Sequence, residues 1–179
     1  PEAQLGDDNV IGPFCYLDKN TVLGNRNILQ NSVTINYGAR IGDDNEFFPG
    51  ASISTKPQDL KFVGEDTICE IGDKNSIREN VTISRGTASK GTTKVGNNNL
   101  LMENMHVAHD CIIGSNVIIG NSTKFAGEVT VDDYAIISAT VMMTSGWLVA
   151  MFAPYYCARM FTTDPELIRQ AIDAIQVMM

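Results

Sequence analysis

The two histidines of this 179-residue chain, His106 and His109, are the side chains best suited to acid–base chemistry. They lie three positions apart and directly before Asp110 in the segment Met105-His-Val-Ala-His-Asp110. A neutral imidazole is the natural general base near pH 7. The spacing alone leaves open that both are solvated surface residues, but their proximity to a carboxylate favours a catalytic role.

A metal centre or a covalent nucleophile fits the sequence less well. Catalytic zinc usually takes three protein ligands, and the chain has only two histidines. No serine lies in a nucleophile-elbow setting. We therefore predict no metal and no cofactor. The cysteines have no CxxC spacing and are interpreted as reduced, buried thiols of a cytosolic protein; they are Cys15, Cys69, Cys111 and Cys157.

Large apolar residues recur every six positions through most of the chain. This repeat predicts the orientation of both histidines. Neither an α-helix nor an alternating strand has this period. Each hexad is predicted to be one short strand and one corner, with the large apolar residue pointing inward and three hexads closing a triangular coil. His106 precedes the inward Val107, so it should point outward, and His109 should lie at the next corner. The apolar positions are Leu5, Ile11, Leu17, Leu23, Leu29, Ile35, Ile41, Phe47, Ile53, Ile71, Ile77, Ile83, Val95, Leu101, Val107, Ile113, Ile119, Phe125, Val131, Ile137 and Met143.

Corner residues follow many of these apolar positions. Glycine often comes next, and turn-forming triplets such as Asp43-Asp44-Asn45 and Asn97-Asn98-Asn99 come after it. Such residues tolerate left-handed backbone angles, so we expect them at solvent-facing corners. The glycines are Gly6, Gly12, Gly24, Gly42, Gly72, Gly96, Gly114 and Gly120.

Two polar stretches, 54–70 and 85–93, interrupt the period and are predicted to be loops leaving the coil, where function tends to lie. The domain prediction is a β-helix over 1–143 and an irregular segment within 144–179. That segment is followed by a helix that begins near Thr163-Asp164-Pro165.

The composition excludes several classes of protein. A formal net charge of −8 and a sequence pI of about 4.6 argue against nucleic-acid binding, because no basic stripe is available for phosphates. The most apolar run, Trp147–Ala153, is too short to span a bilayer, so membrane insertion is not expected. No secretory signal peptide is recognisable, and we expect a cytoplasmic location.

Four segments resemble the UDP-N-acetylglucosamine O-acyltransferase family that opens lipid A biosynthesis. They are Pro57-Gln-Asp-Leu-Lys-Phe-Val-Gly-Glu65, Ile77-Arg-Glu-Asn-Val-Thr-Ile-Ser-Arg-Gly-Thr87, Val95-Gly-Asn-Asn-Asn-Leu-Leu-Met102 and His106-Val-Ala-His-Asp-Cys111. The resemblance covers roughly residues 1–143. It implies an all-β solenoid, a left-handed parallel β-helix of hexapeptide repeats, assembled as a homotrimer.

The resemblance also implies the roles of individual residues. His109 matches the general base that takes the proton from the 3-hydroxyl of UDP-N-acetylglucosamine. That hydroxyl attacks the thioester of a 3-hydroxyacyl chain on acyl carrier protein. His106 matches a second histidine lining the sugar site. Gly127 matches the glycine whose N–H faces the developing oxyanion, and one base with one oxyanion donor suffices for direct acyl transfer.

The remaining substrate residues are Gln58, Asp59 and Lys61, on the first loop, and Glu128. The three loop residues match positions near the sugar nucleotide. Glu128 stands where the family pattern has another histidine, and its carboxylate can still accept a hydrogen bond from a sugar hydroxyl.

The chain departs from the family after Ile137, where Thr144-Ser145-Gly146 occupies the place of a His-Gln-Phe segment. The resemblance implies further coils and basic residues that dock the acidic carrier protein, and we do not recognise them in residues 144–179. Two alternatives to the O-acyltransferase stay open: a sugar-nucleotide N-acyltransferase on the same fold, and a catalytically inactive solenoid that serves as a binding or assembly module.

Overall fold

The computed structural model describes residues 2–138, which form short strands in three parallel sheets. The irregular segment and the helix predicted within 144–179 lie outside these residues. The first sheet contains β1 (Gln4–Leu5), β4 (Val22–Leu23), β7 (Ala39–Ile41), β10 (Ile68–Ile71), β13 (Thr92–Val95), β16 (Ile112–Ile113) and β19 (Thr130–Val131). The second contains β2 (Val10–Ile11), β5 (Ile28–Leu29), β8 (Glu46–Phe47), β11 (Ser76–Ile77), β14 (Leu100–Leu101), β17 (Ile118–Ile119) and β20 (Ile136–Ile137). The third contains β3 (Tyr16–Leu17), β6 (Thr34–Ile35), β9 (Ser52–Thr55), β12 (Thr82–Ser84), β15 (His106–Val107) and β18 (Lys124–Phe125).

Strands three places apart in the sequence pair in parallel, from β1 with β4 to β17 with β20, so consecutive strands belong to different sheets and three strands make one coil. Leu23, for example, lies beside Ile41, one coil further along. The predicted triangular solenoid is confirmed, and the period of six is the length of one side of the triangle.

The apolar position of each hexad points into the solenoid, as predicted. Ile53, Leu101 and Ile119 are fully buried in one continuous core. Leu5 and Ile11 are 52% and 41% exposed, because within residues 2–138 no earlier coil covers them. Burial therefore depends on stacking as well as on the repeat itself.

A second inward position, two residues before the apolar one, was not recognised from the sequence. At one corner it holds a buried asparagine ladder, in which the side-chain oxygen of each asparagine accepts the backbone N–H of the next member. At other corners it holds the free, buried thiols of Cys69 and Cys111; burial raises the pKa of Cys69 to about 12. Cys15 is free and half-buried, and Cys157 is beyond the described residues. The ladder runs through Asn9, Asn27, Asn45, Asn75 and Asn99 to the N–H of Val117.

The corners correct two sequence expectations. The left-handed residue lies three positions after the apolar one, as at Asp44 (φ 58°) and Asn98 (φ 57°), whereas the glycine directly after the apolar residue is not left-handed. That glycine is needed for close stacking, because a Cβ on Gly24 would lie 2.5 Å from the carbonyl oxygen of Gly42. The third residue of each triplet, such as Asn45, is buried in the ladder and does not face solvent.

Both loops leave the solenoid at the corner between the third and the first sheet. The first occupies 56–67, between β9 and β10, and the second 85–91, between β12 and β13. They are shorter than the predicted 54–70 and 85–93, because strand pairing continues to Thr55 and resumes at Ile68 and Thr92. Ile41 still pairs with Ile71 and Ile71 with Val95, so both insertions preserve the phase of the repeat.

Candidate active site

One edge of the prism, where the third sheet turns into the first, carries most of the residues singled out from the sequence. Both loops start there. His109 lies on the same edge, between β15 and β16, and Gly127 and Glu128 lie between β18 and β19. Because the coils stack in register, residues far apart in sequence meet along this edge.

His109 is held by the carboxylate that follows it. Its Nδ1 lies 2.9 Å from Oδ2 of Asp110, and its side chain is 19% exposed. Its Nε2 faces the first loop, where Oδ2 of Asp59 lies 3.9 Å away. The imidazole therefore has one nitrogen occupied by a structural hydrogen bond and one directed toward the loop residues.

Asp110 is fully buried and surrounded by donors. Its carboxylate accepts the Thr87 backbone N–H at 3.0 Å, the Thr87 hydroxyl at 2.5 Å and the Lys90 backbone N–H at 3.3 Å, in addition to His109. Burial by itself raises the pKa of Asp110, but the hydrogen bonds from Thr87 and His109 outweigh it and hold this pKa below its usual value. An ionised carboxylate only accepts hydrogen bonds, so Nδ1 of His109 is the donor in this pair, and Nε2 is the nitrogen that can act as acceptor in a neutral imidazole.

Gly127 occupies the same corner position as His109, one coil later. A Cβ on Gly127 would lie 2.5 Å from Cε1 of His109 and 2.7 Å from Nε2. Within the described part of the chain its backbone N–H makes no hydrogen bond. A free amide donor thus lies beside the imidazole, as an oxyanion-binding group would.

The first loop places Asp59 and Lys61 at the site and leaves Gln58 outside it. Asp59 is kept in a turn by the Lys61 backbone N–H, which donates to its Oδ1 at 2.9 Å. Asp59, Lys61 and Glu128 line one open cavity of about 210 Å³. Gln58 is exposed and does not line this cavity.

His106 lies apart from this cavity, on the outer face of the third sheet. Its Nδ1 is 2.7 Å from the Thr82 hydroxyl, on the preceding coil. Burial and, to a smaller extent, the Lys124 ammonium lower the pKa of His106, while the hydrogen bond with Thr82 partly opposes them. The side chain is therefore a neutral hydrogen-bonding group near pH 7.

Glu128 closes the lower side of the cavity. Its Oε1 accepts a hydrogen bond from the Ser89 hydroxyl at 2.9 Å, so it ties the tip of the second loop to the coil that carries Gly127. The carboxylate is exposed, and its second oxygen makes no bond to residues 2–138. It can therefore still accept a hydrogen bond from a ligand.

A larger groove, of about 570 Å³, lies on the outer face of the first sheet and is separate from the histidines. Its charged groups are neighbours on adjacent coils: Lys94 pairs with Glu70 at 3.0 Å, and Arg40 donates to the Asn20 carbonyl. These charges are already satisfied by each other and by backbone, so the groove offers no group positioned for chemistry.

The repeat matches a known family model, and the whole solenoid resembles solved structures. The family model described as bacterial transferase hexapeptide (six repeats) matches residues 92–127. The chain is 60% identical to a solved UDP-N-acetylglucosamine acyltransferase from Bacteroides fragilis, covering 77% of this chain and 54% of that one, with a TM-score of 0.76. The chain carries the repeat of that family model and is similar in sequence and fold to this acyltransferase. The predicted left-handed direction of the β-helix is confirmed with it.

Two further solved acyltransferases are similar to this chain in sequence and fold. The UDP-N-acetylglucosamine acyltransferase from Francisella novicida is 45% identical, with 76% of this chain and 50% of that one covered and a TM-score of 0.75. The UDP-N-acetylglucosamine O-acyltransferase from Moraxella catarrhalis is 38% identical, with 77% and 63% covered and a TM-score of 0.67. The chain thus spans about half to two-thirds of the length of these relatives.

Sequence reasoning named Asp110 only as a neighbour of the histidines and did not recognise Thr87. The available signal was the adjacency of a carboxylate to His109 together with a loop rich in Thr and Ser one coil earlier. Within residues 2–138, no three metal-ligating side chains lie together, and no helix is long and apolar enough to cross a membrane.

Proposed function

We propose that this chain supplies the base-bearing half of an acyltransferase site that moves a 3-hydroxyacyl group from acyl carrier protein to the 3-hydroxyl of UDP-N-acetylglucosamine, the first step of lipid A biosynthesis. The observation that carries the proposal is the pairing of His109 Nδ1 with Asp110 Oδ2 at 2.9 Å, beside the unbonded N–H of Gly127. The relatives described above act on the same sugar nucleotide.

The chemistry follows from this geometry. His109 Nε2 takes the proton of the sugar 3-hydroxyl as its oxygen attacks the thioester carbon, and the carbonyl electrons move onto oxygen. The N–H of Gly127 donates to that oxyanion. When the tetrahedral intermediate collapses, the C–S bond breaks, the thiolate of the carrier leaves, and His109 returns the proton to sulfur. No metal or cofactor enters any of these steps.

The side chains that line the cavity bind the substrate. Lys61 presents an exposed ammonium suited to a phosphate, and Asp59 and Glu128 present carboxylate acceptors to sugar hydroxyls. Gln58 and His106 bind parts of the substrate that extend beyond the cavity.

A homotrimer is part of the proposal, because one chain offers too little enclosure. The cavity of about 210 Å³ is smaller than the roughly 300–1,000 Å³ of typical ligand pockets. Leu60 and Val63, on the loop that carries Asp59, are almost completely exposed. A second copy packed against this loop would cover both side chains and complete the site. A clean monomer in light scattering at micromolar concentration would contradict this.

The proposed function is tested by acyl transfer from acyl carrier protein to UDP-N-acetylglucosamine. His109→Ala should lower kcat by about 10²–10⁴-fold, the usual contribution of a positioned general base. His106→Ala should cause a smaller loss, mainly through KM, and a chelator should leave the rate unchanged. Parental activity in His109→Ala would rule out the mechanism.

Two other outcomes identify the alternatives. Transfer to an amino-sugar nucleotide but not to UDP-N-acetylglucosamine would indicate an N-acyltransferase. A folded, trimeric parent with no transfer to either substrate would indicate a binding or assembly module. The carrier protein as donor is tested in the same assay, and the cytoplasmic location that we propose with it is tested by cell fractionation.

A further inference from the structure

We propose that Thr87, on the second loop, is a positioning residue for the base: its hydroxyl sets the orientation of Asp110 and, through it, the protonation site of His109. The inference rests on the proposed function, in which His109 is the base. It assigns the loop 85–91 a role in catalysis beyond lining the cavity, to which Thr87, Ala88 and Ser89 contribute.

Burial of the Asp110 carboxylate has a cost that its hydrogen-bond donors must offset. A fully buried carboxylate is stable only where donors replace its water. Besides the His109 ring, the donors come from the second loop: the N–H and hydroxyl of Thr87 and the N–H of Lys90. Without this loop, Asp110 would retain only His109 as a donor among these groups.

One oxygen of Asp110 contacts both Thr87 and His109. Oδ2 of Asp110 accepts both the Thr87 hydroxyl, at 2.5 Å, and Nδ1 of His109, at 2.9 Å. The hydroxyl restricts rotation of the carboxylate about its Cβ–Cγ bond and keeps Oδ2 directed at the imidazole. It also stabilises the ionised form, which requires the proton of His109 on Nδ1. Removing this hydroxyl takes one donor from Oδ2, so the carboxylate is held less firmly toward the imidazole and the preference for Nδ1–H weakens.

Thr87 is itself held in place by the loop. It is buried, its hydroxyl also accepts the Ser89 N–H at 3.3 Å, and its carbonyl accepts the Gly91 N–H at 2.7 Å. Ser89 in turn donates to Glu128. The loop is therefore a closed turn that presents one hydroxyl to Asp110 in a single orientation.

The test uses Thr87→Val, which keeps the shape of the side chain and removes the hydroxyl, with Thr87→Ser as the conservative variant. Thr130→Val, on the exposed face of β19, is the matched control for loss of a hydroxyl. We expect Thr87→Val to lower kcat about tenfold or more, as loss of one hydrogen bond to a charged group does, with KM nearly unchanged. Thr87→Ser and Thr130→Val should stay near the parent.

A second readout does not depend on activity. Nitrogen-15 NMR of the imidazoles reports which ring nitrogen carries the proton, and His106→Gln leaves His109 as the remaining histidine in the chain. In that background the parent should show Nδ1–H, and Thr87→Val should show a gain of Nε2–H that Thr87→Ser reverses. Should Thr87→Val not fold, Thr87→Ala takes its place.

The outcomes separate the two proposals. Unchanged imidazole spectra in Thr87→Val overturn the positioning role, whatever happens to kcat. A changed spectrum with reduced kcat supports it. If the parent catalyses no transfer, the proposed function fails, and the NMR comparison alone decides whether Thr87 orients the imidazole.

Discussion

Gly127 lies directly against the imidazole of His109, close enough that a Cβ at position 127 would come within 2.5 Å of Cε1. The two residues occupy the same corner position of successive coils, so the stacking of the solenoid brings them together. The missing side chain of the glycine leaves room for the base, and its N–H makes no hydrogen bond within residues 2–138.

Gly127→Ala should therefore displace His109 even though the substitution adds a single methyl group. A misplacement of about 1 Å at a reacting group costs on the order of 10²-fold in rate, and we expect a loss of kcat of this size. The measurement is kcat together with the thermal midpoint. Gly120→Ala is the control, because the nearest atom to its Cβ would be 3.2 Å away. Equal kcat in Gly127→Ala and Gly120→Ala would show that the contact has no catalytic importance.

The core prediction compares the inside of the repeat with a corner. Ile113→Ala or Ile119→Ala should each lower the free energy of unfolding by about 2–5 kcal/mol, because both side chains are buried. Asn98→Ala should cost about 1 kcal/mol, chiefly from its left-handed backbone. Urea unfolding of the three variants provides the values. A corner variant less stable than both isoleucine variants would contradict the assignment of inside and outside.

Two adjacent asparagines give a sharper comparison. Asn99 is buried: its side chain donates to the Gly114 carbonyl at 2.9 Å and accepts the Val117 N–H at 2.7 Å. Asn99→Ala leaves both groups without a partner, at about 1–3 kcal/mol each, so we expect a loss of about 2–6 kcal/mol. The exposed Asn98 makes one side-chain bond, to Asn116. Similar losses for Asn98→Ala and Asn99→Ala in the same urea series would show that the ladder does not stabilise the solenoid.

His106 should make the stability of the protein depend on pH. Its pKa is lowered in the folded state, so between its unfolded value, about 6.5, and its lower folded value the unfolded chain binds more protons. The stabilisation is complete above pH 6.5 and is lost as the pH falls through the folded pKa. In His106→Gln the free energy of unfolding should therefore decrease less between about pH 7 and pH 5. Denaturant titrations across this pH range measure the free energy of unfolding of both proteins. The same dependence on pH in parent and variant would refute the prediction.

The solenoid and its two interruptions were predictable from the sequence. One apolar residue in six can be satisfied by a short strand that turns a corner at each step, and the phase survives both insertions, from Ile41 to Ile71 and on to Val95. The resemblance then indicated His109 and Gly127 as members of one site. Both the repeat and the motifs that carry the resemblance are short patterns that can be read within one sequence.

The residues that surround the base could be identified only from the stacking of the coils. Asp110 and Thr87 are 23 positions apart, and no local pattern connects them; they meet because coils stack in register and both lie at the same corner. The same reason explains why Asn98 and Asn99, identical in type, have opposite environments. A backbone rotation at each corner sends one side chain outward and the next inward, and residue type alone does not reveal where that rotation falls.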